Sequence, residues 1–326
     1  MQLNRYYFID RSKVVMAVMI VMLHSLPLFN NPTVSYYFSR ILDTVVPVFF
    51  CFSGFFFARH TDLKKSLRHL ATLYLFYAVV SWPLSFIVFK GLTIWQALHK
   101  VIFFGTFNIG WYIIALMWCM IIFAAIDRVK QAAVRYTVMA ALALLSYAVC
   151  VCFLNSYPMP PFIVKTAVVY RDLFMIPTWS FPRGILFFCI GFFFFRFNLK
   201  FTAAQSLPLL IVALGLYFAE LAVGYCSGHE INSINFSLPF VVFAFMAFAL
   251  SQCRPEADNG RGRLMRQIST MLYLSHPMIM FLLYRATGIN SGLPRFAATL
   301  AVFAVIFVAY HYLCNRRYFH WLRYAS

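Results

Sequence analysis

Polar side chains interrupt this chain only in short clusters, and between them lie apolar runs at residues 14–29, 41–57, 70–89, 111–126, 134–154, 184–195, 207–225, 238–250, 268–284 and 296–313. About 20 apolar residues at 1.5 Å rise each cross the hydrocarbon core of a bilayer, so runs of this kind read as membrane-spanning helices. The pattern predicts an all-α fold, a polytopic transmembrane helical bundle of about ten spans. The runs at 184–195 and 238–250 are short for a span. No internal repeat is visible and no soluble domain of ordinary size is left over, so residues 1–326 read as one integral-membrane domain.

The interruptions carry their own expectations. Residues 155–183 form the longest polar stretch, rich in Pro158, Pro160, Pro161, Pro177 and Pro182. Tyr157, Tyr170 and Trp179 there read as an interfacial aromatic belt, with stacking on a sugar ring as the other reading. Residues 94–104 are expected to lie along the membrane surface as an amphipathic helix. The first apolar run leads into Pro27, Asn30, Asn31 and Pro32 without a small-residue cleavage site, so the first span is expected to be retained.

Composition agrees with the pattern: 63% of residues are hydrophobic, 20% aromatic and only 11% charged, which excludes an ordinary soluble domain. The net charge is +18, and 19 of the 27 Lys and Arg residues stand in clusters at residues 5–13, 59–68, 128–135, 196–200, 254–266 and 316–323. With the amino terminus in the cytoplasm, all six clusters fall on the cytoplasmic side, so both termini are expected there. Basic loops over anionic lipid explain the charge without a nucleic-acid partner, and a polyphosphate ligand is the alternative. Of the eight cysteines, Cys51, Cys119, Cys150, Cys152 and Cys189 lie inside apolar runs and pair with no histidines, so neither a disulfide framework nor a metal site is expected.

Candidate chemistry begins with His24, near the middle of the first run, because an ionisable side chain at membrane depth is expensive. Eleven residues separate it from Lys13. Eleven steps of about 100° end within ~20° of three whole turns, so the two share a face, roughly 16 Å apart along the axis. Asp10 stands three residues before Lys13, where it can pair with the ammonium or accept amide hydrogens at the helix start. A catalytic base and a histidine satisfied by a neighbouring helix are the two readings of His24. Lys64 and Arg68 share a helical face with Lys65 beside them, either as a positive-inside anchor or as a clamp for phosphates. Glu220 could orient a base or pair with Arg183, and His276, just before Pro277, could line a cavity or cap a kinked helix. Arg183 could stabilise an oxyanion, bind a phosphate or snorkel. Ser53-Gly54 reads as a close-packing device, since no base accompanies the serine.

Together these segments resemble the acyltransferase-three family of integral-membrane O-acyltransferases, which modify sugars of bacterial surface polymers and related acceptors. The opening FIDRSKVVMAVMIVMLHS is similar to that family's Asp-x-x-Arg/Lys-x10-His signature, with Asp10, Lys13 and His24 in place. VPVFFCFSGFFFAR resembles the family's second span with its Ser-Gly pair, and the Lys64/Lys65/Arg68 cluster precedes the third span. Weaker echoes follow in GWYIIALMW with Trp111 and Tyr112, in RGILFFCIGFFF after Arg183, and in YLSHPMIM around His276. The chain departs from the family in carrying Lys13 for the commoner Arg and Val14 for a glycine. Gly110, not a histidine, stands before Trp111.

The resemblance implies an acyl-CoA donor, most often acetyl-CoA, reaching the protein from the cytoplasm, and no metal. It implies a hydroxyl acceptor on a cell-envelope glycan or lipid-linked sugar, with the protein in the bacterial cytoplasmic membrane among its lipids. His24 with Lys13 and Asp10 would form the catalytic set, Lys64, Lys65 and Arg68 would bind acyl-CoA, and Ser53, Trp111, Tyr112, Arg183, Glu220 and His276 would line the cavity or meet the acceptor. The competing class is a transporter or flippase in which His24, Glu220 and His276 form a path rather than a reaction site.

Overall fold

A computed structural model of the protein describes residues 6–60, 62–106, 110–155, 160–174, 180–228, 231–253 and 260–314. Tyr157 and Trp179, and the basic residues Arg5, Arg254, Arg316, Arg317 and Arg323, lie outside the described residues.

The described residues are helical: α1 (Tyr7–Leu23), α2 (Pro32–Asp43), α3 (Val45–Arg59), α4 (Leu63–Val80), α5 (Trp82–Phe89), α6 (Ile94–Phe103), α7 (Gly110–Ile126), α8 (Ala132–Leu154), α9 (Pro161–Phe174), α10 (Phe181–Arg196), α11 (Ala203–Cys226), α12 (Leu238–Ser251), α13 (Arg261–Thr287) and α14 (Gly292–Cys314). Each of the ten apolar runs falls on one or two of these helices. Pro32–Arg59, Ala132–Leu154, Ala203–Cys226 and Gly292–Cys314 are long and apolar enough to cross a membrane. Their outward positions carry large apolar side chains, such as Leu144, Ile211, Val305 and Val308, as a lipid-facing surface requires.

Several boundaries differ from the pattern, four of them for a plain local reason. The first helix begins at Tyr7 and stops at Leu23 rather than running to Phe29. Pro27 has no N–H to continue the ladder, so His24 is the last capping residue of α1 and not a mid-span side chain. The run at 70–89 breaks at Ser81, with Pro83 in the first turn of α5. The stretch 155–183 contains α9, which Pro161 opens and which buries Ile163 and Ala167, four residues apart on one face. α13 starts at Arg261, seven residues before the apolar run, because Gly260 in the left-handed conformation permits the entry. The expected amphipathic helix is α6, held by a capping box between Thr93 and Gln96. Its Ile94 and Trp95 are 80% and 81% exposed, facing away from the bundle.

The closest packing joins α3 to α10, which run parallel. A Cβ at Gly54 would lie 2.0 Å from the Phe188 carbonyl oxygen, and one at Gly191 would lie 1.8 Å from that of Cys51. Only glycine allows backbones to approach so far, which is how helices associate where no water drives them together. α1 and α13 form a second parallel pair. One end of the bundle is basic, with Arg135 and Arg196 around Asp127 and Arg59 and Arg266 on the wall of a cavity. At the opposite end Asn155 holds the 231–238 segment, accepting from the Asn232 amide at 2.7 Å and donating to the Ile234 carbonyl at 2.8 Å.

Gly54→Ala and Gly191→Ala are each expected to lower stability by about 1–3 kcal/mol through overpacking. Gly215→Ala, whose Cβ would meet nothing within 4 Å, serves as control. Thermal unfolding in detergent checks this, and equal midpoints for the three variants would contradict the α3–α10 contact.

Candidate functional site

α1 lines the site from end to end. Asp10 is buried and its Oδ2 accepts from Nη1 of Arg266 on α13 at 2.6 Å. One turn on, the Lys13 ammonium sits 4.7 Å from the Phe56 ring centroid and 6.0 Å from that of Phe52. Cation–aromatic attraction thus steadies a charge that α3 offers no carboxylate to meet. α1 stays helical through Leu23 and His24 keeps right-handed backbone angles, so the spacing between Lys13 and His24 follows helical arithmetic and His24 stands roughly 16 Å beyond Lys13.

Three cavities follow this line. The first, about 590 Å³, opens at the basic end among Asp10, Lys13, Arg59, His60, His69 and Arg266, with Ser53 on its wall. The second is a narrower cleft of about 180 Å³ that shares Lys13, Ser53, His69 and Leu70 with the first and continues to Tyr112 and Tyr273. The third, about 510 Å³, opens near the other end of α1 between His24, Pro277, Tyr284 and Arg295. Tyr273 on the cleft and Pro277 on this last cavity are about one turn apart on α13. Lys13, Ser53, His69 and Leu70 therefore stand where the basic cavity narrows toward the interior.

The side chains between them touch in sequence. The Ser53 hydroxyl lies 3.4 Å from that of Tyr112. The Tyr112 and Tyr273 rings meet edge to face at 5.4 Å, and Tyr273 lies 6.2 Å from His276. His276 lies 5.1 Å from His24, ring centroid to ring centroid. His24 is solvent-accessible on the cavity wall, whereas His276 is fully buried.

The site thus gathers Asp10, Lys13, Ser53, Tyr112, His276 and His24, and leaves the other candidates apart. Lys64, Lys65 and Arg68 are exposed and share a shallow depression with Asp62. Residues two apart on a helix point about 200° apart, and Ser66 and Leu70 face the basic cavity, so Lys64 and Arg68 face away from it. Arg183 is buried and stacks over the Trp111 ring at 5.6 Å, and neither residue lines the three cavities. Glu220 turns to backbone, accepting from the amides of Phe236 at 3.0 Å and Ser237 at 2.8 Å and from the Ser237 hydroxyl. These contacts satisfy N–H groups just before α12.

Sequence reasoning missed Arg59, His69, Arg266, Tyr273 and Arg295. His69 carried a readable signal, being three residues after Ser66 and one before Leu70 on the inward face of α4. The others meet the site only through tertiary packing. Among the described residues no group of three His, Cys, Asp or Glu side chains could hold a metal ion.

These features define a polytopic helical protein entered by cavities from both ends, with a basic one on the first helix. Residues 6–313 match the acyltransferase-three family, an acyltransferase domain. The match spans nearly the whole chain, and the chain belongs to that family. It is also similar to an amino-acid racemase of Enterococcus faecalis, 22% identical over an alignment 331 positions long that covers 92% of this chain and 44% of the relative. The chain thus spans less than half the length of that curated relative. No solved structure matches it.

Glu220→Gln is expected to lower stability by about 1 kcal/mol, because a neutral amide oxygen accepts the two amide hydrogens less strongly than a carboxylate. Thermal unfolding in detergent measures it, and a rise in midpoint would contradict the capping role.

Proposed function

We propose that the protein is a membrane O-acyltransferase that moves an acyl group, acetyl in the first instance, from acyl-CoA to a hydroxyl of a cell-envelope glycan or lipid-linked sugar. The observation that carries this reading, beside family membership, is the position of Lys13. It lines both the basic cavity and the inner cleft, on the helix that ends at His24. The basic end is taken to face the cytoplasm of a bacterial cell, with both termini on that side, since clustered Lys and Arg stay with the cytoplasmic loops.

In this reading the CoA phosphates meet Arg59, His69 and Arg266 at the wide mouth, where guanidinium groups suit phosphate oxygens. Pantetheine then extends past Lys13 and Ser53, carrying the thioester toward Tyr273. The acceptor hydroxyl enters through the cavity of His24. His24 removes its proton as the oxygen attacks the acyl carbon; the new C–O bond forms, the C–S bond breaks, and the leaving thiolate of CoA takes up the proton. Asp10 pairs with Arg266 and keeps α1 and α13 in register. Lys64 and Arg68, turned outward, suit anionic lipid headgroups instead of the donor. The racemase activity named for the longer relative is not carried to this chain.

Radiolabelled acetyl-CoA turnover in membrane vesicles of the source cell, lacking its own copy of the protein, tests the assignment. His24→Ala should reduce CoA release by at least about 10²-fold with the KM for acetyl-CoA unchanged. Arg59→Ala should raise that KM by about tenfold, as expected for a lost charge-assisted bond of ~1.4 kcal/mol, while Lys64→Ala with Arg68→Ala leaves it within about twofold. Full turnover by folded His24→Ala sinks the assignment. Absence of turnover by folded wild type with acetyl-CoA and longer acyl-CoAs would move the reading to transport.

A further inference from the structure

α13 carries Pro277 in its interior. Proline has no N–H, so the carbonyl of Tyr273, four residues earlier, loses its helical partner. His276 supplies the replacement. Its Nδ1 lies 2.7 Å from the Tyr273 carbonyl oxygen and 3.2 Å from that of Leu272. Carbonyl oxygens only accept, so Nδ1 carries the proton, and in the neutral ring Nε2 is left as a bare acceptor. That Nε2 is buried and has no hydrogen-bond partner, and the whole side chain is 0% exposed. A buried acceptor without a donor destabilises the fold, so its retention needs an explanation.

The helix kink explains Nδ1 but not the choice of a ring with a second nitrogen. A serine or asparagine would satisfy the Tyr273 carbonyl as well. His24 is the side chain placed to use Nε2, its ring centroid 5.1 Å away with 35° between the planes. The tilt and the separation put the rings in contact without a formed hydrogen bond, a looseness common at catalytic pairs before substrate binds. His24 stands on the wall of the 510 Å³ cavity together with Arg295 and Tyr284, so one of its nitrogens can serve His276 while the other meets a ligand.

We propose that His276 is a positioning residue for His24. Its Nε2 accepts the N–H of the His24 ring, which fixes the tautomer whose other nitrogen is unprotonated and turned to the cavity. This inference rests on the reading of His24 as the base. During transfer the acceptor hydroxyl gives its proton to that unprotonated nitrogen as the C–O bond forms and the C–S bond breaks. The imidazolium of His24 is stabilised by the bond to His276, and the proton then leaves with the CoA thiolate. His276 itself stays neutral throughout. The arrangement does with a backbone-anchored imidazole what a buried carboxylate does for a histidine in other nucleophilic sites.

Two amide variants separate this role from a structural one, because asparagine places an N–H near Nδ1 whereas glutamine places an oxygen near Nε2. Acetyl-CoA turnover in the same vesicles is the readout. His276→Asn keeps the bond to the Tyr273 carbonyl and is expected to lose about 10²-fold in kcat with an unchanged KM for acetyl-CoA. His276→Gln keeps an acceptor for His24 and is expected to stay within about tenfold of wild type. The reverse order, Asn active and Gln impaired, would show a helix-kink role alone and overturn the proposal. A second measurement needs no variant at His276. In protein labelled with 15N-histidine, His276 should give the Nδ1–H tautomer, and its Nε2 resonance should move in His24→Ala while Nδ1 does not. An Nε2-protonated ring, or an Nε2 resonance indifferent to His24→Ala, overturns the proposal. Undiminished turnover by His24→Ala would instead remove the base assignment itself, whereas an inactive His24→Ala beside a fully active His276→Asn removes only the positioning role.

Discussion

The backbone contact between α3 and α10 sets the rest of the bundle in place. Gly54 and Gly191 let the two helices meet carbonyl against Cα, a packing that replaces the missing hydrophobic drive of a lipid environment. α3 is thereby fixed in rotation. With Gly54 turned to α10, its neighbour Ser53 and the rings of Phe49, Phe52 and Phe56 line the cavities or meet α1. Lys13 finds Phe56 at 4.7 Å only because that rotation holds. The narrowing of the basic cavity is thus a consequence of two glycines that never touch it.

A second rigid unit is the parallel pair of α1 and α13. One end is joined by Asp10 and Arg266, the other by the contact of His24 and His276. Parallel helices place residues of like depth beside each other, so the pair couples a charged mouth to an imidazole pair without a long loop. The proposed chemistry follows the same axis, with a polyanionic donor drawn to the arginines and a neutral hydroxyl meeting a histidine.

Much of this was legible in the chain. The ten apolar runs each fall on helices, and the spacing of Lys13 and His24 survives because α1 is regular between them. The depth of His24 was not legible from hydropathy, since apolar residues continue past it to Phe29 while Pro27 ends the helix earlier. The Lys64/Lys65/Arg68 cluster was conspicuous by charge, but Lys64 and Arg68 face outward. The inward face of α4 is marked by the plainer stripe of Ser66, Leu70 and Leu73. The partners of Glu220 were not legible, being amides 16 and 17 residues ahead in a loop with no periodicity. Arg266 and Asp10 are 256 residues apart in sequence, and only tertiary packing could join them.

In the proposed mechanism donor and base meet along α1, and a bound donor would show it. A cryo-EM structure of the protein in nanodiscs with a non-hydrolysable thioether analogue of acetyl-CoA would locate the ligand. Phosphates are expected at Arg59 and Arg266, pantetheine beside Lys13 and Ser53, and the acyl end next to the Tyr273 to Pro277 turn within reach of His24. An analogue bound with its acyl end away from α1, or lying in the depression of Lys64 and Arg68, would contradict that mechanism.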